Sequence, residues 1–187
     1  DELPSRDVVS WNALITGYVK HGNGVEALLC FDQMQIEKIQ PTIITLTCAL
    51  KACAIVGALG MGRTIHSLIH GEELLTKSPL IGIALVAMYA KCGMIFKAQE
   101  VFENLSVHDT VSWNALIAGY VLQEKYGEAI NCFELMQIEG LPRDGVTFIS
   151  ILKACGGKLD IVKGKQIHDE IANRGLLETD VVLGTSL

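Results

Sequence analysis

Trp11, Leu14, Ile15 and Tyr18 fall at i, i+3, i+4 and i+7, which draws one apolar stripe along an α-helix. The break His21-Gly22-Asn23-Gly24 interrupts the stripe, and Ala27, Phe31 and Met34 resume it at i, i+4 and i+7. The pattern predicts two helices joined by a short turn, with Pro41 ending the second. A second hairpin is expected to turn at Gly57-Ala58-Leu59-Gly60 and to close near Pro79, and a third to run from Leu80 with its turn at Cys92-Gly93. No strand is expected.

The same pattern returns. Val9-Ser-Trp-Asn-Ala-Leu-Ile-Thr-Gly-Tyr18 recurs as Val111-Ser-Trp-Asn-Ala-Leu-Ile-Ala-Gly-Tyr120, one difference in ten at a shift of 102. That shift also carries Met34-Gln-Ile-Glu37 onto Met136-Gln-Ile-Glu139, Leu50-Lys-Ala-Cys53 onto Leu152-Lys-Ala-Cys155, and Ile65-His66 onto Ile167-His168. The unit divides into hairpins of 35, 36 and 31 residues. A lone hairpin leaves one apolar face in water, so neighbours must stack to bury it. The expected fold is all-α: a right-handed α-α superhelical solenoid of helix-turn-helix repeats, its core made of the Trp, Leu, Met and Phe stripes.

Composition narrows the chemistry. Half the residues are apolar and 19% are charged, which excludes a disordered chain. A charge-free stretch near the middle, Ser78 to Ala90, has 13 residues, against about 20 for a membrane span. Residues 1–7 carry neither an apolar signal core nor an Arg-rich transit pattern, so a targeting peptide is expected outside this sequence if one exists. The six cysteines contain no Cys-x-x-Cys pair, so they are read as reduced, buried, small apolar residues and not as a zinc site. The net charge of −6 opposes a phosphate-rich partner unless positive charge gathers on one face.

These repeats resemble the PLS class of pentatricopeptide-repeat proteins of land-plant organelles, in which motifs of 35, 36 and 31 residues alternate. Leu50-Lys-Ala-Cys53 is typical of an L motif, and Ala84-Leu-Val-Ala-Met-Tyr-Ala-Lys-Cys-Gly93 is close to the run usual in an S motif. The resemblance implies an S-motif tail at 1–7, a P motif at 8–42, an L motif at 43–78 and an S motif at 79–109. It then implies a second P motif at 110–144, a second L motif at 145–180 and the start of an S motif at 181–187. By the same resemblance the chain is a fragment of a longer array without its end caps.

The resemblance further implies sequence-specific binding of single-stranded RNA, about one base per repeat. Family members read bases with the fifth and last residues of a motif, while the second packs against the base. Carried over, the packing residues are Val9, Ile44, Leu80, Val111, Val146 and Val182. The reading pairs are Asn12 with Thr42, Thr47 with Ser78, Ile83 with Asp109, Asn114 with Asp144, and Ile149 with Asp180. Asn114 with Asp144 implies uracil, and Asn12 with Thr42 a weaker pyrimidine preference; isoleucine cannot hydrogen-bond a base. The implied order from the RNA 5′ end is pyrimidine, two unread bases, uracil and one unread base. Lys20 and Lys91 occupy matching places late in their helices and are candidates for phosphate contacts, although Leu122 stands at the corresponding place in the second P motif.

The expected partners are single-stranded organellar RNA and other editing factors, with no membrane, cofactor, metal or small-molecule substrate. The expected setting is site recognition for C-to-U RNA editing in a mitochondrion or chloroplast. Full-length relatives often end in a deaminase-like domain with a His-x-Glu element and a later Cys-x-x-Cys. His168-Asp169-Glu170 imitates the first half, but no Cys-x-x-Cys follows and the repeat equivalent is His66-Ser67-Leu68, so no catalysis is expected in this chain. His66 and His70, with Glu72 or Glu73, have metal-like spacing, yet the equivalent of His70 is Ala172. The alternative function is a tetratricopeptide-type protein scaffold, which the acidic charge favours and the 35-36-31 alternation opposes.

Overall fold

The computed structural model describes residues 7–71 and 78–176. The chain divides into two compact units, Asp1–Val107 and His108–Leu187. The first contains α1 (Val8–Lys20), α2 (Gly24–Ile36), α3 (Ile43–Val56), α4 (Leu59–Gly71), α5 (Pro79–Lys91) and α6 (Ile95–Glu103). The second contains α7 (Thr110–Leu122), α8 (Tyr126–Ile138), α9 (Gly145–Lys158) and α10 (Ile161–Asn173). Among the described residues there is no strand. None of their helices is long and apolar enough to cross a membrane.

The helices pair as hairpins, and within each unit every hairpin stacks on the next. In the first unit α1 packs on α2 and α3, α2 on α3, α3 on α4 and α5, and α5 on α6. In the second, α7 packs on α8 and α9, and α9 on α8 and α10. The core follows the predicted stripes: Trp11, Ile15, Ala27, Phe31 and Met34 are buried in the first hairpin, as are Trp113, Ile117, Ala129, Phe133 and Met136 in its counterpart. Leu14 and Tyr18 are only half-buried.

One predicted boundary needs correcting. Pro41 does not end α2, which stops at Ile36 with Glu37 as its C-cap. The chain then turns through Lys38 at φ 58°, and Ile39 N–H donates back to Met34 O at 3.1 Å. That bond pattern is the Schellman closure, which satisfies the last carbonyls of the helix before proline is reached. The end of α8 repeats it, with Gly140 at φ 70° and Leu141 N–H bonded to Met136 O at 3.2 Å.

Contrary to what the sequence leads one to expect, the cysteines are not all buried. All six are free thiols; Cys48, Cys53, Cys132 and Cys155 are buried, but Cys30 and Cys92 are half-buried. Burial pushes the thiols of Cys53 and Cys132 up to about 12, so both are neutral and inert in the folded chain.

Candidate nucleic-acid interface

The first helix of every hairpin starts on a residue with extended backbone: Asp7, Thr42, Ser78, Asp109 and Asp144. A helix leaves its first N–H groups without intrahelical partners, and a short polar side chain at the N-cap accepts from one of them. Asp7 accepts from Ser10 N–H at 2.8 Å, Asp109 from Ser112 N–H at 2.8 Å, and Asp144 from Thr147 N–H at 2.9 Å. Thr42 accepts from Thr45 N–H at 3.3 Å, whereas Ser78 makes no side-chain cap bond and is followed by Pro79 at the first helical position. Thr42, Asp109 and Asp144 belong to capping boxes, because the hydroxyl at N3 accepts from the cap's own N–H.

Two residues after each cap stands an aliphatic side chain that the core does not take. Val9 is 68% exposed, Ile44 59%, Leu80 62%, Val111 59% and Val146 57%. A single exposed aliphatic is ordinary. The same N2 position is exposed on all five described first helices.

The fifth residue of each first helix lies one turn further on. In the second unit Asn114, nearly buried, donates from Nδ2 to Asp144 Oδ1 at 2.9 Å and accepts at Oδ1 from Thr147 Oγ1 at 2.6 Å. In the first unit Asn12 Nδ2 donates to Thr42 Oγ1 at 3.1 Å, and Thr45 Oγ1 donates to Asn12 Oδ1. Both predicted Asn pairs are therefore in contact, helix to neighbouring cap. Burial pushes the Asp144 carboxyl up, but hydrogen bonds, led by that from Thr147 N–H and joined by that from Asn114 Nδ2, outweigh it and hold the carboxyl below its ordinary value. It is an anion at neutral pH.

Thr47 and Ser78 do not form this contact. Thr47 Oγ1 donates to Ile43 O at 2.7 Å within its own helix, and no hydrogen bond among the described residues joins it to Ser78, which is buried. Ile83 is half-buried on α5, Asp109 caps α7, and Ile149 is half-buried on α9. Asp180 and Val182 lie outside the described residues. Lys20 and Lys91 are the last residues of α1 and α5, both exposed, where a cation also complements the helix dipole.

Charge separates by helix. The bodies of the five first helices, α1, α3, α5, α7 and α9, contain no Asp or Glu, and they carry Lys20, Lys51, Lys91, Lys153 and Lys158. The acidic side chains of α2, α6, α8 and α10 sit on second helices. The overall acidity of the chain therefore does not describe its first helices.

Two further roles are invisible as roles in the sequence. Trp113 Nε1 donates to Glu139 Oε2 at 2.9 Å, and Trp11 Nε1 to Glu37 Oε2 at 3.3 Å, so each tryptophan ties the first helix of its hairpin to the C-cap of the second. The recurrence of Met-Gln-Ile-Glu is the available signal, but nothing in it names the indole as partner. Of the candidate metal and catalytic residues, His66 Nδ1 is bonded to Tyr89 OH at 2.8 Å, and Glu170 lies in ion pairs with Arg143 at 2.7 Å and Arg174 at 2.6 Å. The side chain of His70, with Glu72 and Glu73, lies outside what the structure describes.

Comparison with known proteins agrees with this architecture. The protein At4g30700 of Arabidopsis thaliana, a pentatricopeptide repeat-containing protein, is 36% identical over 97% of this chain and 23% of its own length. Another from the same plant, At5g55740, named chloroplastic, is 34% identical over the whole chain and 22% of its own length. The crystal structure of the pentatricopeptide repeat protein PPR10 in complex with an 18-nt psaJ RNA element matches with a TM-score of 0.71 at 18% identity, covering 87% of this chain and 24% of that one. The chain thus spans under a quarter of the length of each. The model of the PPR repeat family matches residues 6–55 and 108–157, and that of the single PPR repeat residues 84–108. With more than half of its residues matched, the chain belongs to the pentatricopeptide-repeat family.

Proposed function

We propose that the chain binds single-stranded RNA along the N-terminal ends of its first helices, about one base per repeat. The observation that carries this reading is the Asn114–Asp144 contact between the exposed aliphatics Val111 and Val146. A base held between two aliphatic side chains is stacked without being identified. Its edge then meets an amide that can donate and accept, beside a carboxylate that only accepts. Uracil N3–H is a donor and suits that carboxylate, whereas cytosine N3 is an acceptor and is repelled. Asn12 with Thr42 keeps the amide without the anion and prefers pyrimidines less sharply. Thr47 with Ser78, Ile83 with Asp109, and Ile149 with Asp180 discriminate little.

Exposed lysines on the first helices give the backbone phosphates a partner that the net charge of −6 conceals. Lys20 and Lys91 are the first candidates. In the intact protein this array selects sites for C-to-U editing in an organelle, a chloroplast or a mitochondrion, alongside other editing factors. The chain itself is a binding scaffold, and the chemistry belongs to another domain or partner.

Low-salt filter binding of the protein at its natural length against RNA and peptide pools tests the reading. RNA should be retained, and log K should fall with log[salt]. The joint Lys20→Ala and Lys91→Ala variant should flatten the slope by about 0.7 for each single-strand phosphate deprived of its lysine. Retention of peptides with no retention of RNA would return the chain to the scaffold alternative.

A further inference from the structure

The base-reading scheme uses the fifth and last residues of a motif, yet in both P-type hairpins a third side chain completes the cluster. Thr45 and Thr147 stand at N3 of α3 and α9, and both are completely buried. We infer that these two hydroxyls are positioning residues that set which way the reading amide faces, and so help to determine base choice.

Proton direction decides the matter. A backbone N–H can only donate. Thr42 N–H donates to Thr45 Oγ1 at 2.9 Å, and Asp144 N–H to Thr147 Oγ1 at 3.2 Å. Each hydroxyl therefore receives at one lone pair and has a single proton to give. Thr147 Oγ1 lies 2.6 Å from Asn114 Oδ1 and 2.9 Å from Asp144 Oδ1. The carboxylate oxygen already accepts from Thr147 N–H and Asn114 Nδ2, so the proton is needed at the amide oxygen. The amide then turns its oxygen to the threonine and its nitrogen to the last residue of the motif. One Nδ2 proton is used there, and the second is left for a base.

The first hairpin shows why the threonine matters in its own right. Asp144 is acceptor-only and shares the orienting of Asn114 with Thr147, but Thr42 carries a hydroxyl that donates or accepts equally well. Nothing in Thr42 itself fixes Asn12. The relay from Thr42 N–H through Thr45 Oγ1 to Asn12 Oδ1 does. At Asp109 no amide stands at the fifth position, and the N3 hydroxyl of Ser112 donates to Asp109 O at 2.9 Å instead.

This inference rests on the proposed RNA reading, so its test separates the two. Thr45 and Thr147 are each changed to valine, which keeps the shape and removes the hydroxyl, and to serine, which keeps the hydroxyl. Two quantities are read: the affinity ratio for RNAs carrying uracil or cytosine opposite the second P-type hairpin and pyrimidine or purine opposite the first, and the side-chain amide NMR signals of Asn12 and Asn114. The valine variants should lower the base preference by about tenfold at most, more at Thr45 than at Thr147, while serine holds it within about twofold. They should also speed the exchange of the Nδ2 proton that serine keeps slow, more at Asn12 than at Asn114, whose proton is still held by Asp144. Unchanged preference and unchanged amide signals in both valine variants overturn the inference. If the unmodified protein shows no base preference at all, the RNA reading fails, and the amide signals alone decide: faster exchange in valine with slow exchange in serine upholds the positioning role, and no difference ends it.

Discussion

A Cβ added to Gly24 would stand 3.0 Å from the carbonyl oxygen of Ala52, so α2 begins at a place where no side chain fits against α3. Val56 Cγ1 and Ile55 Cβ would lie at 2.7 and 3.1 Å from the same atom. The second copy of the repeat reverses the arrangement. Tyr126 takes the place of Gly24, and Gly157 takes the place of Ile55; a Cβ on Gly157 would meet the Tyr126 ring at 2.3 Å. Each junction thus carries one large and one small partner, exchanged between the helices.

Gly24→Ala should destabilise the first unit by about 1–3 kcal/mol, because a backbone oxygen cannot yield without moving its helix. Gly157→Ala should cost less, since the tip of a tyrosine ring can swing aside. Urea midpoints at constant m-value check both. Equal costs, or a stabilising Gly24→Ala, would contradict the packing described for α2 and α3.

Leu159 ends α9 at φ 58° and ψ 30°, a left-handed conformation, and Gly57 ends α3 in the same way at φ 72° and ψ 24°. A side chain there costs about 1–2 kcal/mol. Leu159 is 82% exposed, so its side chain adds little packing. Leu159→Gly should stabilise the second unit by about 1 kcal/mol and Gly57→Leu should destabilise the first by a similar amount. Thermal unfolding of the two variants reads the signs, and a less stable Leu159→Gly would show that the leucine is held by something else.

Asp144 gives a pH signature. Its carboxyl is held below the ordinary value of 3.8 in the folded chain by hydrogen bonds from Thr147 N–H and Asn114 Nδ2 that outweigh its burial. A group lowered on folding contributes stability that is complete above the unfolded value, and the contribution is lost as pH falls through the lower, folded value. The unmodified chain should lose stability below pH 3.8 more steeply than Asp144→Asn, whose amide keeps the N-cap but cannot titrate. Denaturant melts between about pH 6 and pH 2 compare them. Parallel curves would remove Asp144 as an ionised member of the cluster.

Much of this architecture is legible in the sequence. Periods of 3.6 residues place Trp11, Ile15, Phe31 and Met34 in the core, and the shift of 102 ties the two copies together. The exposed Val9, Ile44, Leu80, Val111 and Val146 can be named because the family resemblance gives position two a role; by hydropathy alone they would join the core. Relations between distant residues are what escapes. A repeat comparison scores Gly24 against Tyr126 and Ile55 against Gly157 as two unrelated mismatches, since sequence does not say which positions touch. Likewise it shows Thr45 and Thr147 as helix-start hydroxyls, which capping alone explains, and hides their bonds to Asn12 and Asn114, 33 positions away. The end of α2 is misread because proline is a visible stop, while a left-handed Lys38 is not.

One affinity ratio bears most directly on the uracil contact. Two RNAs that differ only in uracil or cytosine at the base opposite the Asn114–Asp144 pair are titrated with the protein at its natural length. The cytosine RNA should bind about tenfold more weakly, and Asp144→Asn, which removes the anion, should bring the two together. Equal affinity of the unmodified protein for both RNAs would contradict the reading of that pair as specific for uracil.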